Sequence, residues 1–155
     1  MASVTESIDV NVPVTTAYNQ WTQFEEFPRF MEGVRSVTQT DDTHLRWLAE
    51  VGGKEHEWLA EITEQRPDER VAWKAIEGHG NSGVVTFHRR GDNQAAVTVQ
   101  IEHETEGMME ALGSALGADS RRVKADLERF KELVESRGVE SGAWRGEVEG
   151  GQRVR

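Results

Sequence analysis

The stretch Asp119–Ser136, DSRRVKADLERFKELVES, decides the fold. Val123, Leu127, Phe130 and Val134 stand at i, i+4, i+7 and i+11, a single stripe at a period of 3.6. The spacing predicts one long helix over about 119–136. Asp119 or Ser120 caps its start, and Gly138 stands where a left-handed residue ends a helix. Leu112 and Leu116 carry the stripe back toward Met108, while Arg121, Lys124, Asp126, Arg129 and Glu132 are expected to face water. A helix with one apolar stripe needs a broad apolar surface to lie on.

Upstream, residues 33–105 supply that surface. Here the period switches to two, and turn signals at Asp41-Asp42, Gly52-Gly53, Pro67-Asp68, Gly78 to Gly83 and Gly91-Asp92-Asn93 separate six strand-like runs. Two glycines between alternating runs are a hairpin signal, because both accept positive φ. No helical pattern intervenes, so the runs form an antiparallel meander. One face collects Leu45, Trp47 and Ala49, then Trp58, Ala60 and Ile62, then Val71 and Trp73, Val85 and Phe87, and finally Val97, Val99, Ile101 and His103. The other face carries Arg46, Glu50, Glu57, Glu61 and Lys74 and is expected to be wet.

Before the meander, Ile8, Val10 and Val12 alternate as a seventh strand, which Pro13 ends. Val14, Ala17, Tyr18, Trp21 and Phe24 then give a short helical face, and Pro28 breaks the pattern again, so two short helices are expected. The reading is α+β: a seven-stranded antiparallel sheet wrapped around the C-terminal helix, with two short helices after the first strand. Residues 1–138 are expected to form one domain. Residues 139–155, rich in Gly, Glu, Arg and Ser around a lone Trp144, are expected to be a flexible polar tail, too polar to fold alone.

The chain has 155 residues, enough for about one domain with a real core, and a net charge of −10. The acidic excess argues against nucleic acid and anionic membranes as partners. No apolar run approaches the ~20 residues that span a bilayer. The start of the sequence runs directly into a strand pattern without a secretion signal, so a cytoplasmic monomer or weak homodimer is expected. There is no cysteine, and the five histidines show no HxxxH or HExxH spacing, so neither a metal site nor a cofactor is expected. No Gly-x-Ser-x-Gly elbow marks a nucleophile.

Three blocks carry a resemblance: VNVPVTTAYNQWTQFEEFPRFMEGV at 10–34, WLAEITEQRPDERVAWKA at 58–75, and VTVQIEHETEG at 97–107. With them the chain resembles the START-like, or SRPBCC, superfamily of helix-grip proteins, and within it the bacterial polyketide cyclase/dehydrase and lipid-transport group and coenzyme Q-binding START proteins. The resemblance implies an internal hydrophobic cavity that takes lipids, isoprenoids or aromatic polyketides.

The sequence itself offers cavity candidates. Trp47, Trp58 and Trp73 share one parity on consecutive strands, and three such rings either pack as core or leave flat walls for a planar ligand. Phe27, Phe30 and Met31 are candidates for a lid, Phe87 for the wall, and Met108 and Met109 for an adaptable rim. His103 falls on the dry face and is the candidate acid/base, or else a satisfied core histidine. Two functions are open to such a cavity. One is binding of a hydrophobic small molecule for transport or sensing. The other is a polyketide aromatase/cyclase or dehydratase that folds its substrate there, with His103 and Tyr18 supplying protons.

Overall fold

The structure, a computed structural model, describes residues 2–31, 33–51, 53–77, 82–103 and 120–154. Strand β1 (Ala2–Val10) leads into α1 (Val14–Trp21) and a 3-10 helix (Phe24–Arg29). Strands β2 (Val34–Asp41), β3 (His44–Val51), β4 (Lys54–Arg66), β5 (Arg70–Glu77), β6 (Ser82–Gly91) and β7 (Gln94–His103) follow as a meander. Helix α2 (Ser120–Arg137) comes next, then two short strands, β8 (Val148–Glu149) and β9 (Gln152–Arg153).

The sheet runs in the order β1-β7-β6-β5-β4-β3-β2, every pairing antiparallel. Trp47 pairs with Trp58 across β3 and β4, so both rings stand on the same face. The turns fall where the breakers predict. Gly53 takes φ 82° between β3 and β4, and Asp68, after Pro67, takes φ 62° between β4 and β5. Aspartate tolerates that left-handed region better than most residues.

Helix α2 buries the four stripe residues that it carries. Val123, Leu127, Phe130 and Val134 are each at most 4% exposed. Gly138 follows at φ 73°, and its N–H donates to the Val134 carbonyl at 2.9 Å, closing the helix as a left-handed glycine does. Asp119, Leu112 and Leu116 lie outside the described residues. The helix packs along β1, where Lys131 Nζ donates to the Asp9 carbonyl at 2.9 Å. Helix α1 packs on β6 and β7, and the 3-10 helix on β2. Two short helices follow β1 as expected, but the break between them falls at Thr22 and Gln23, and Pro28, expected to break the pattern, lies inside the 3-10 helix, whose looser geometry accepts it.

Among the described residues the strands number nine where seven were expected. The added pair arises in the segment expected to be a flexible polar tail. Val148 pairs with Gln65 of β4 and is wholly buried. The segment docks because α1 presents a buried polar side that matches it. Asn19 Nδ2 donates to Glu140 at 2.6 Å, and Arg145 Nη1 donates to Asn19 Oδ1 at 2.6 Å. Gln20 Oε1 accepts the Ser141 N–H at 2.9 Å, and Thr22 Oγ1 accepts that of Trp144 at 3.1 Å. Trp144, half-buried, packs against the core beneath the Arg153 guanidinium, 5.5 Å from its ring centre.

Candidate functional site: an aromatic cavity under a short lid

Between the concave sheet face, α2 and the 3-10 helix lies a cavity of about 80 Å³. Alternation along the strands puts Leu45, Trp47, Trp58, Ile62, Trp73 and Ile101 on its sheet wall. Trp47 and Trp58 stack with centroids 5.6 Å apart and planes 9° from parallel. Trp73 reaches its place because Gly83, on the neighbouring β6, has no side chain. A Cβ there would come within 2.9 Å of the indole and closer still to the Gln100 carbonyl oxygen.

The lid is aromatic. Phe24, Phe27, Phe30 and Met31 face the cavity beside Trp21 from the end of α1. Phe27 bridges lid and wall, with its ring 5.6 Å from Trp47. Phe30 meets Phe130 of α2 at 5.2 Å, edge to face. On its outer side the lid is pinned through Glu26. That carboxylate accepts from Gln20 Nε2 and Arg137 Nη2, each at 3.2 Å, and from the Ser141 hydroxyl. Burial alone would raise the Glu26 carboxyl; the hydrogen bonds from Ser141 and Gln20 and the charge of Arg137 outweigh it, so its pKa is lowered. A second pin comes from Arg129, whose Nε donates to the Phe30 carbonyl at 2.9 Å.

Six of the ten candidate residues therefore border one cavity: Phe27, Phe30, Met31, Trp47, Trp58 and Trp73. Phe87 does not. It is buried in a second aromatic group, 5.4 Å from Tyr18 and 6.3 Å from Trp21, because β6 carries it beneath α1 instead of beneath the lid. The backbone of His103 ends β7 opposite Ala2, but its side chain lies outside the description, and Met108 and Met109 lie outside the described residues. Tyr18, the other residue considered for proton transfer, is wholly buried and lies off the cavity lining. Its hydroxyl completes no hydrogen bond among the described residues. Burial pushes the phenol up to about 12, with the Gln65 amide and the Arg145 guanidinium offsetting part of the rise.

Two polar features of the cavity escape the sequence reading. Asp126 was expected in water, yet it borders the cavity and its side chain is only 15% exposed, paired with Arg129 one turn on. It lies three residues after Val123 and one before Leu127, on the flank of the buried stripe, and that offset was the available signal. The second is the Trp47 indole nitrogen, which is buried with no hydrogen-bond partner among the described residues. Among the described residues no group of three or more His, Asp or Glu side chains is placed to hold a metal, and no helix is long and apolar enough to cross a membrane.

A family model described as polyketide cyclase / dehydrase and lipid transport matches residues 10–132. A 17.2 kDa protein of Streptomyces lincolnensis, encoded in the melC2-rnhH intergenic region, is 52% identical over 149 residues, which is 96% of this chain and 99% of the relative. The crystal structure of DR_A0006 from Deinococcus radiodurans superposes with a TM-score of 0.69 at 26% identity, covering 89% of this chain and all of that one. The Zhui aromatase/cyclase from Streptomyces sp. R1128 has the same fold, with a TM-score of 0.68 at 14% identity over 92% of this chain and 99% of its own.

Proposed function

The chain belongs to the polyketide cyclase / dehydrase and lipid transport family of START-like proteins, and from that premise we propose that it is a carrier or sensor of one hydrophobic small molecule, held between the aromatic lid and the tryptophan wall. The observation that carries this reading is the cavity's lining: aromatic and aliphatic on the sheet, lid and helix alike, with Asp126 as its one charged member among the described residues. Burying an apolar ligand there releases roughly 25 cal/mol for each Å² removed from water. The parallel Trp47 and Trp58 rings favour a planar ligand, because flat faces keep contact across their whole area.

The cavity's size sets how the ligand enters. At about 80 Å³ it is well below the roughly 300–1,000 Å³ of sites that hold drug-sized molecules. Binding therefore widens it, and the lid is the part suited to give way. A proline-bearing 3-10 helix has weaker internal hydrogen bonding than an α-helix, and side-chain pins at Glu26 and Phe30 hold it shut. Of the two residues considered for proton transfer, Tyr18 lies off the cavity lining.

Native mass spectrometry of protein purified from its own host tests the proposal, together with thermal shift in the presence of hydrophobic probes. A co-purifying apolar molecule, or stabilisation that rises with probe concentration, is expected. Protein that is always empty and that no probe stabilises overturns the reading. Turnover of a bound polyketide chain would replace carriage by catalysis.

A further inference from the structure

We propose that the segment 139–149 latches the cavity: the lid swings from a state in which this segment has come off α1, and ligand exchange, which rests on the ligand-binding reading above, passes through that state. The joint of the lid is short. Thr22 and Gln23 alone separate α1 from the 3-10 helix, and at Gln23, with φ −87° and ψ 69°, the backbone leaves the helical region. The segment lies across both residues. Thr22 Oγ1 accepts the Trp144 N–H at 3.1 Å, and Gly142 passes so near Gln23 that a Cβ there would stand 2.6 Å from Gln23 Oε1. A hinge works by changing the dihedrals of its few residues, and they need room to turn. The docked segment fills that room.

The lid's outer pin is joined to the same segment through a buried amide. Gln20 is 1% exposed, and three elements meet on it. Its Nε2 donates to Glu26 of the lid at 3.2 Å, while its Oε1 accepts from Arg137 Nη1 of α2 at 3.3 Å and from the Ser141 N–H at 2.9 Å. The Ser141 hydroxyl donates to the same Glu26 carboxylate, which Arg29 also approaches at 3.4 Å. A lid that swung beneath the docked segment would draw Glu26 away and leave the Gln20 N–H unpaired in the interior, which is costly. Once the segment has left, water reaches that amide and satisfies it. The segment is also suited to open first, because its strands are two residues long and every residue from 139 to 147 is half-buried or exposed.

Arg145→Met tests the latch from a distance. Arg145 donates to Asn19, pairs with Asp68 at 2.9 Å and lies over the Tyr18 ring, so it fastens the segment through partners outside the lid. Amide exchange on the full chain is expected to quicken by about threefold to tenfold across residues 24–31 as well as across 139–149, while β3 and β4 stay level, since the lid then opens from a more populated undocked state. Stopped-flow mixing with N-phenyl-1-naphthylamine, a neutral aromatic probe, is expected to show association and release quickened by a similar factor, with the dissociation constant nearly unchanged. Faster exchange in the segment beside an unchanged lid overturns the latch and leaves hydrophobic binding intact. Release that quickens without association also overturns it, because that marks a weakened bound state in place of a freed gate. A probe that binds neither protein counts against the binding reading, and amide exchange then decides the latch by itself. Should Arg145→Met fail to fold, Glu140→Ala, which removes the acceptor of Asn19 Nδ2, is read in its place.

Discussion

Gly83 is where a single missing side chain shapes the wall. A Cβ at that position meets the Trp73 indole on one side and the Gln100 backbone on the other, and backbone cannot rotate away. Gly83→Ala is therefore expected to cost about 1–3 kcal/mol, the usual range for overpacking, and to displace Trp73. Denaturant unfolding gives the first quantity and tryptophan emission the second. A neutral, spectroscopically silent variant would mean that the indole does not rest on this glycine. Tyr18 gives a prediction in pH. Its folded pKa, about 12, exceeds the ordinary value of 10.0. The unfolded chain thus gives up the phenolic proton first as pH rises. Stability linked to Tyr18 is full below pH 10 and declines toward pH 12, because the folded state then binds more protons than the unfolded one. Tyr18→Phe should remove that alkaline loss and leave stability near neutral pH almost unchanged, since the hydroxyl it deletes has no hydrogen-bond partner among the described residues. The midpoint of unfolding followed from about pH 9 to pH 12 in both proteins, a window that spans the reference tyrosine value, checks this.

Among the elements, the lid is the one held by side chains more than by its own backbone. Glu26 gathers Gln20, Arg137 and Ser141 onto it. Glu26→Gln keeps the shape and loses the charge, so amide exchange across residues 24–31 should quicken while strands β3 and β4 stay protected. Because the Glu26 pKa is lowered on folding, the stability it contributes is present above the ordinary carboxylate value and is lost as pH falls below it. Wild type should therefore lose lid protection in acid, and the variant should show the loss already at neutral pH. Equal exchange in the two proteins would remove Glu26 from this role. The elements also show what a sequence makes legible. The α2 stripe and the six alternating runs of the meander are periodic, local signals, and each appears where its period puts it. Asp126 was misplaced because a charged residue at the edge of a stripe reads as solvated until its neighbours in space are known. Phe87 was misplaced because parity gives the face of a strand and not the position along it, and the lid covers only part of that face.

At the scale of the whole molecule, the segment after α2 behaves as a clasp across α1 to β4. Its strands of two residues leave no periodic trace, and its partners are polar groups on α1 and Gln65 on β4, distant in sequence. Composition correctly says that this segment cannot fold alone, and says nothing about what it can fold against. Ending the chain after Gly138 is expected to destabilise it by about 2–5 kcal/mol, through the lost burial of Val148 and the hydrogen bonds that Asn19, Gln20 and Thr22 make to the segment. Chemical denaturation of the shortened protein measures this, and an unchanged midpoint would restore the idea of a passive tail. The pairing of β1 with β7 has a consequence of another kind. During synthesis β1 leaves the ribosome long before its sheet neighbour β7 exists, so its apolar edge must wait for residues 94–103. Such late, long-range closure slows folding and lengthens the time in which a nascent edge can pair with the wrong chain. The alternate Thr5, Ser7 and Asp9, exposed along that strand, keep one face of it wettable through the wait.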